Sequence, residues 1–83
     1  MAELIKIIGS EVSLSTASNV GLAVAVRLYN NTAGAVLVTR ATSGAVTIGT
    51  VTLAVGEIMY VQKQPTDTLA AASAIRAAAV AIN

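Results

Sequence analysis

The chain has 83 residues, of which 55% are apolar, 11% charged and 2% aromatic; its net charge is +1, and it contains neither cysteine nor histidine. A balance so near neutral excludes nucleic-acid binding driven by charge, and the missing Cys and His exclude a disulfide framework, thiol chemistry and the usual ligands of zinc and most transition metals. A single domain spanning residues 1–83 buries only roughly 60% of its unfolded surface. With five basic and four acidic side chains, where an ordinary domain is about 25% charged, it is expected to hide part of its apolar surface against other subunits.

The first residues, MAELIKIIGS, carry Glu3 early, and Lys6 interrupts the apolar span Leu4–Ile8. They do not read as a secretory signal. Leu4–Ile8 is a first short strand, ending at Gly9-Ser10. Glu11–Thr16 alternates Val12 and Leu14 with Ser13 and Ser15, the period of two expected of a half-buried strand. Ser18-Asn19 is a turn. Val20–Tyr29 is the longest regular pattern, with Val20, Leu22, Val24, Val26 and Leu28 on one face. The opposite face, Gly21, Ala23, Ala25, Arg27 and Tyr29, is small and mostly apolar. It suits close packing of a neighbour, so Ala23, Ala25, Arg27 and Tyr29 are interface candidates.

Asn30 to Gly34 is a turn, because Asn tolerates left-handed backbone and Gly adopts it freely. Ala35–Ala41 is the next strand, and Thr42-Ser43-Gly44 turns it back. Val46 to Val55 and Ile58 to Lys63 are two alternating runs joined at Gly56-Glu57. Pro65 has no N–H to donate, so the segment from Gln64 to Thr68 ends the ladder. Turn signals at this spacing imply an all-β fold, a small antiparallel β-sandwich or barrel. The charge-free run between Arg40 and Glu57 is too short and too rich in Thr, Ser and Gly to span a bilayer, and no membrane partner is expected.

Thr68–Asn83 is dominated by Ala, the strongest helix former, and Asp67 is placed to cap a short C-terminal helix. An all-β context instead favours a loop through Ala74 and then a closing strand over Ile75–Ile82, which would cover an edge.

No constellation of residues states a chemistry. The serine and threonine hydroxyls lack an activating histidine. Glu57 reads as a solvated turn residue, and Asp67 as the anchor of its own loop through an Asx-type turn. No Gly-rich phosphate cradle is present, and four scattered carboxylates suggest no cation loop. Tyr29 and Tyr60 are too few for a stacking platform on single-stranded nucleic acid. They suit amphipathic anchoring at an interface, which adds Tyr60 to the interface candidates. Arg27, Arg40 and Arg76 fit interface pairs and solvated surface equally well. No catalytic residue, cofactor or metal is therefore expected.

Taken together, VRLYNNTAGAVLVTR and GTVTLAVGEIMYVQKQPTDTL resemble a group of small proteins of tailed phages, especially marine cyanophage-type viruses. The resemblance rests on Tyr29, Asn30, Gly34, Gly56, Glu57, Lys63, Pro65, Thr66 and Asp67, and covers about residues 24 to 82. It implies a non-enzymatic virion structural protein, assembled in the host cytoplasm. A capsid decoration or cement-type subunit would pack on the major capsid protein and on its own copies, as a homo-oligomer or as lattice-bound copies. A small tail-associated protein, packing on tail proteins, is the other form it implies. The resemblance also favours the strand over Ile75–Ile82. A host-surface or carbohydrate-binding module is the alternative, with only the two tyrosines to present to sugar rings.

Overall fold

Described over residues 4–82, the computed structural model contains eight strands and, among those residues, no helix. They are β1 (Ile5–Ile7), β2 (Val12–Leu14), β3 (Ala25–Tyr29), β4 (Val36–Ala41), β5 (Thr47–Leu53), β6 (Ile58–Gln62), β7 (Thr68–Ala71) and β8 (Ile75–Ile82). One sheet has the order β1-β8-β3-β6, with β2 also paired to β8; the other has the order β5-β4-β7. Every pairing is antiparallel. The fold is all-β and sandwich-like, as the alternation and the turn spacing imply.

The core forms where the two sheets face each other. Val26 and Leu28 of β3, Leu14 of β2, and Ile75 and Ala77 of β8 meet Val36, Val38, Leu53, Leu69 and Ala71 of the smaller sheet. Residues paired across antiparallel strands share a face. The register Val36↔Leu53 and Val38↔Ala71 therefore carries one buried face across the smaller sheet. Met59, Val61 and Ala79 pack at its margin.

The C-terminal segment is a strand. Its alanines favour helix locally, but β8 is hydrogen-bonded along both edges. Residues 76–79 pair with β3, 75–77 with β2, and 80–82 with β1. Strand pairing on two sides, plus burial of Ile75 and Ala77, outweighs a propensity advantage of about 0.7 kcal/mol per residue at most.

Two local expectations need correction. The expected loop from 68 to 74 contains β7, which exists because Leu69 and Ala71 are buried and both its edges are satisfied. One edge pairs with β4. On the other, the Ser18 amide donates to the Leu69 carbonyl (3.0 Å), the Leu69 amide to the Ser18 carbonyl (2.9 Å), and the Ala71 amide to the Ser15 carbonyl (3.2 Å). The expected long strand from Val20 begins only at Ala25. Val20, Gly21 and Leu22 have φ of 52°, 67° and 60°, in the left-handed region that no strand residue occupies. The Ser18 hydroxyl accepts from the Val20 amide at 3.1 Å, and Asn19 Oδ1 accepts from the Leu22 amide at 3.3 Å. This turn breaks the alternation: Val20 and Ala23 enter the core, while Leu22 and Val24 are exposed.

Candidate interaction surface

The outer face of the five-stranded sheet carries most of the sequence-derived candidates. The register Ala25↔Gln62, Arg27↔Tyr60 and Tyr29↔Ile58 sets Ala25, Arg27, Tyr29 and Tyr60 on one face, with Arg27 also opposite Ala78 and Tyr29 opposite Arg76. The Arg27 guanidinium carbon lies 5.8 Å from the centroid of the Tyr29 ring, within cation–π range. Arg27 Nη1 also stands 3.5 Å from Glu11 Oε2. Both groups are partly solvated, so this pair contributes little, roughly 0–1 kcal/mol. Tyr29 is half-covered and Ala25 nearly buried, while Tyr60 and Ile58 remain exposed. Ala23 does not join this face, because it sits in the core beside the 18–22 turn.

A shallow depression of about 620 Å³ borders this face and is walled by Ile8, Val24, Ala25, Tyr60, Gln62 and Val80 among others. A smaller cavity, about 220 Å³, opens between the sheets beside β5 and is lined by Val38, Arg40, Ile48, Gly49, Val51 and Leu69 among others. Neither gathers acid–base or nucleophilic groups. Among the described residues, no three His, Cys, Asp or Glu side chains lie close enough to hold a metal ion. Every buried side-chain nitrogen or oxygen there has a hydrogen-bond partner.

The charged residues that the fold does bring together pin a turn. Arg40 Nε and Nη2 both donate to Asp67 Oδ2, at 3.0 and 2.6 Å, and the Gln64 amide donates to the same oxygen at 3.1 Å. Lys63 is buried, and its Nζ donates to the carbonyls of Gln64 and Pro65, each at 3.2 Å. Asp67 thus ties its own loop, as expected, and Arg40 is engaged internally rather than at an interface. Glu57 also serves its own turn, with Oε1 accepting from the Ala54 amide at 2.8 Å.

The Arg40 hydrogen bond holds the Asp67 carboxyl below its ordinary value of 3.8, with the Gln64 amide acting in the same direction. The native state therefore binds this proton less readily than the unfolded chain. That stabilisation is complete above about pH 4 and is lost as pH falls through the lowered native value. Desolvation lowers Lys63 from 10.5, partly offset by the charge of Asp67. Stability contributed at Lys63 accordingly rises as pH climbs from the lowered native value towards 10.5. Urea midpoints between pH 2 and 6 check the acid side: the wild type will weaken more steeply below pH 4 than Asp67→Asn. Parallel curves would show that this carboxylate gains nothing from its partners.

Four of the residues that carry the resemblance have a common structural role. Asn30 Nδ2 donates to the carbonyls of Gly34 and Leu53, each at 2.9 Å. The Asn30 amide donates to the Glu57 carbonyl (3.0 Å), and its carbonyl accepts from the Gly56 amide (2.9 Å). Gly56 has φ of 75°, a conformation that costs glycine no Cβ clash. Asn30, Gly34, Gly56 and Glu57 therefore form one knot that joins two loops. Compared with protein-family models, with curated proteins and with solved structures, the chain matches none.

What sequence reading did not find is the free edge of β5. Among the described residues β5 pairs only with β4, and Val46, Ile48 and Val51 on or beside it are exposed. The sequence signal was there, in an uncharged stretch from Ala41 to Gly56. Which strand would form an edge is set by the order of the sheet.

Proposed function

We propose that the protein is a non-enzymatic structural subunit of a tailed-phage particle, a capsid decoration or cement-type component that packs against the major capsid protein and its own copies. One observation carries the assembly reading. Thirteen large apolar side chains are exposed among the described residues, against nine charged side chains in the whole chain, five basic and four acidic. Single exposed apolar residues are ordinary, whereas contiguous groups mark interaction sites. Here Ile58 and Tyr60 share the outer sheet face, and Ile8 and Val24 adjoin its depression. The virion assignment is supported by the resemblance at Asn30, Gly34, Gly56, Glu57 and the Lys63–Asp67 turn. A decoration subunit gains stability from assembly by mass action, which suits a domain too small to build a large core.

The test is light scattering on a size-exclusion column, followed by co-sedimentation with emptied capsids of a virus whose genome encodes the chain. Wild-type protein is expected to move into the capsid fraction. Tyr60→Asp is expected to reduce that binding at least ~10-fold, because it places an uncompensated charge in a desolvated interface. It should leave the fold within about 1 kcal/mol, since Tyr60 is already exposed. Ala25→Asp is the poorer probe, because Ala25 is nearly buried and a carboxylate there would damage the monomer itself. Wild-type protein that ignores both capsids and its own copies would overturn the proposal.

A further inference from the structure

Resting on the assembly reading, we infer that β5 is a self-pairing edge, through which two copies join antiparallel across a two-fold axis into one continuous six-stranded sheet. An edge strand presents a row of unpaired N–H and C=O groups, and soluble proteins blunt such edges with charge, proline, shortness or a covering segment. The other edges of this fold show those devices. The outer edge of β7 is covered by Ser15–Ser18. β1 and β2 are three residues each, with Lys6 inside the first. β6 is shorter than β5, at five residues, and runs directly into the turn that contains Pro65.

β5 has seven residues, the longest of these edges. It carries no charge and no proline, and neither does the surrounding stretch from 41 to 56. Its single irregularity is the bulge at Ile48, where Arg40 pairs with Gly49 and Ala41 with Thr47. The bulge bends one end and leaves Gly49–Leu53 in regular register. The chemistry of the edge defines its occupant as a neutral strand, because a charged one would be desolvated against Val and Thr side chains without compensation. A second β5 meets that requirement with no like-charge conflict.

Shape selects the register. Gly49 and Val51 project to the same inner face, since their partners Arg40 and Val38 do. A Cβ at Gly49 would meet nothing within 4 Å, whereas Val51 is 38% exposed. Centring the two-fold on Thr50, the middle residue of β5, sets each Val51 opposite the other copy's Gly49, a side chain against an opening. On the outer face the same axis brings the two Thr50 side chains together. The contact is isologous. Because the far edge of the three-stranded sheet is covered at β7, strand addition along this sheet stops at two copies.

Having no cysteine, the protein allows a clean test. Thr50→Cys is expected to form a covalent dimer under mild oxidation, because antiparallel partners at the axis hold their Cβ atoms about 4.5–5.5 Å apart, a small inward adjustment from the ~3.5–4.5 Å that a disulfide spans. Thr39→Cys, on the adjacent strand of the same face, is expected to stay uncrosslinked. Thr50→Lys will set two like charges together and raise the dimer dissociation constant on the order of 100-fold, with unchanged circular dichroism. A wild-type dimer that Thr50→Lys leaves intact overturns the β5 edge but keeps the assembly reading. A dimer that Thr50→Lys disrupts, yet Thr50→Cys does not lock, overturns the register. Wild-type protein that is monomeric in solution but joins capsids overturns the self-pairing edge alone, and one that does neither overturns both readings.

Discussion

Replacing Asn30 by alanine will lower the melting temperature of the isolated protein by about 10–30 °C, the equivalent of about 2–4 kcal/mol at the usual ~4–8 °C per kcal/mol for a domain of this size. Asn30 is fully buried, and every one of its polar groups is used. Its amide nitrogen serves the Gly34 and Leu53 carbonyls. Its side-chain oxygen accepts from the Thr32 amide at 2.9 Å and from the Thr32 hydroxyl at 2.6 Å. Its backbone holds Gly56 and Glu57. Alanine keeps the backbone bonds but leaves the Leu53 carbonyl inside the protein without this donor, and an unsatisfied buried acceptor costs more than the bond itself is worth. Asn30→Asp is expected to be no better, since it turns both donors into a charged acceptor facing two carbonyls. Thermal melts followed by circular dichroism measure this. A loss under about 1 kcal/mol would show that the two loops hold without the knot. Total stability for 83 residues is roughly 4–12 kcal/mol, so the expected loss is large enough to impair folding at physiological temperature.

Leu28→Ala will cost about 3 kcal/mol, whereas Val24→Ala will cost less than about 0.5 kcal/mol. Sequence alternation places both residues on one apolar face, and by that reading alone the two should cost similar amounts. The structure separates them. Leu28 is fully buried on β3, between Met59 on β6 and Ala77 on β8, so truncation leaves a cavity walled on two sides by fixed strands. Val24 lies before the strand and is 54% exposed. Urea denaturation of the two variants, with equal m-values, decides the matter. Comparable losses at both positions would mean that β3 extends to Val24 and that the left-handed turn at 20–22 is not populated.

Both substitutions bear on assembly, because a marginal monomer and a sticky surface are linked. Exposed apolar side chains contribute little to the isolated domain, and under the proposed assembly they would be the ones to gain contacts with a neighbour. Under the proposed assembly, the apparent unfolding stability should therefore increase with protein concentration or on capsid binding. Variants at Asn30 should be rescued in part by assembly, since their defect lies inside the fold. Variants at Tyr60 or Thr50 should show the opposite pattern, with near-normal monomers that fail to associate.

Much of the architecture follows from local sequence. Alternation with a period of two marks β4, β5 and β6. The turns at Asn30–Gly34, Thr42–Gly44 and Gly56-Glu57 fall where their Asn and Gly residues place them, but the expected left-handed backbone occurs only at Gly56. Ala45 rather than Gly44 adopts it in the second turn, and the first is held by the Asn30 side chain instead. Asp67 closes its own loop with a side chain that reaches only three residues back. The interface candidates Ala25, Arg27 and Tyr29 share a face because the parity of residues within a strand survives whatever the strand pairs with, whereas Tyr60 joins them only through the β3–β6 register.

The tertiary structure decided what depends on distant partners. Thr68–Ala71 is a strand because β4 and Ser15–Ser18 supply hydrogen bonds from both sides, and nothing in Thr-Leu-Ala-Ala announces this. Ala-rich β8 is a strand because three other strands line its edges. Ala23 leaves its expected face for the core because the chain turns left-handed at 20–22. Which edge stays open depends on strand order, a property of the whole sheet. Periodicity is a short-range property, fixed by the alternation of Cβ directions along one strand. Burial and edge exposure are long-range properties, fixed by which strands come to lie side by side.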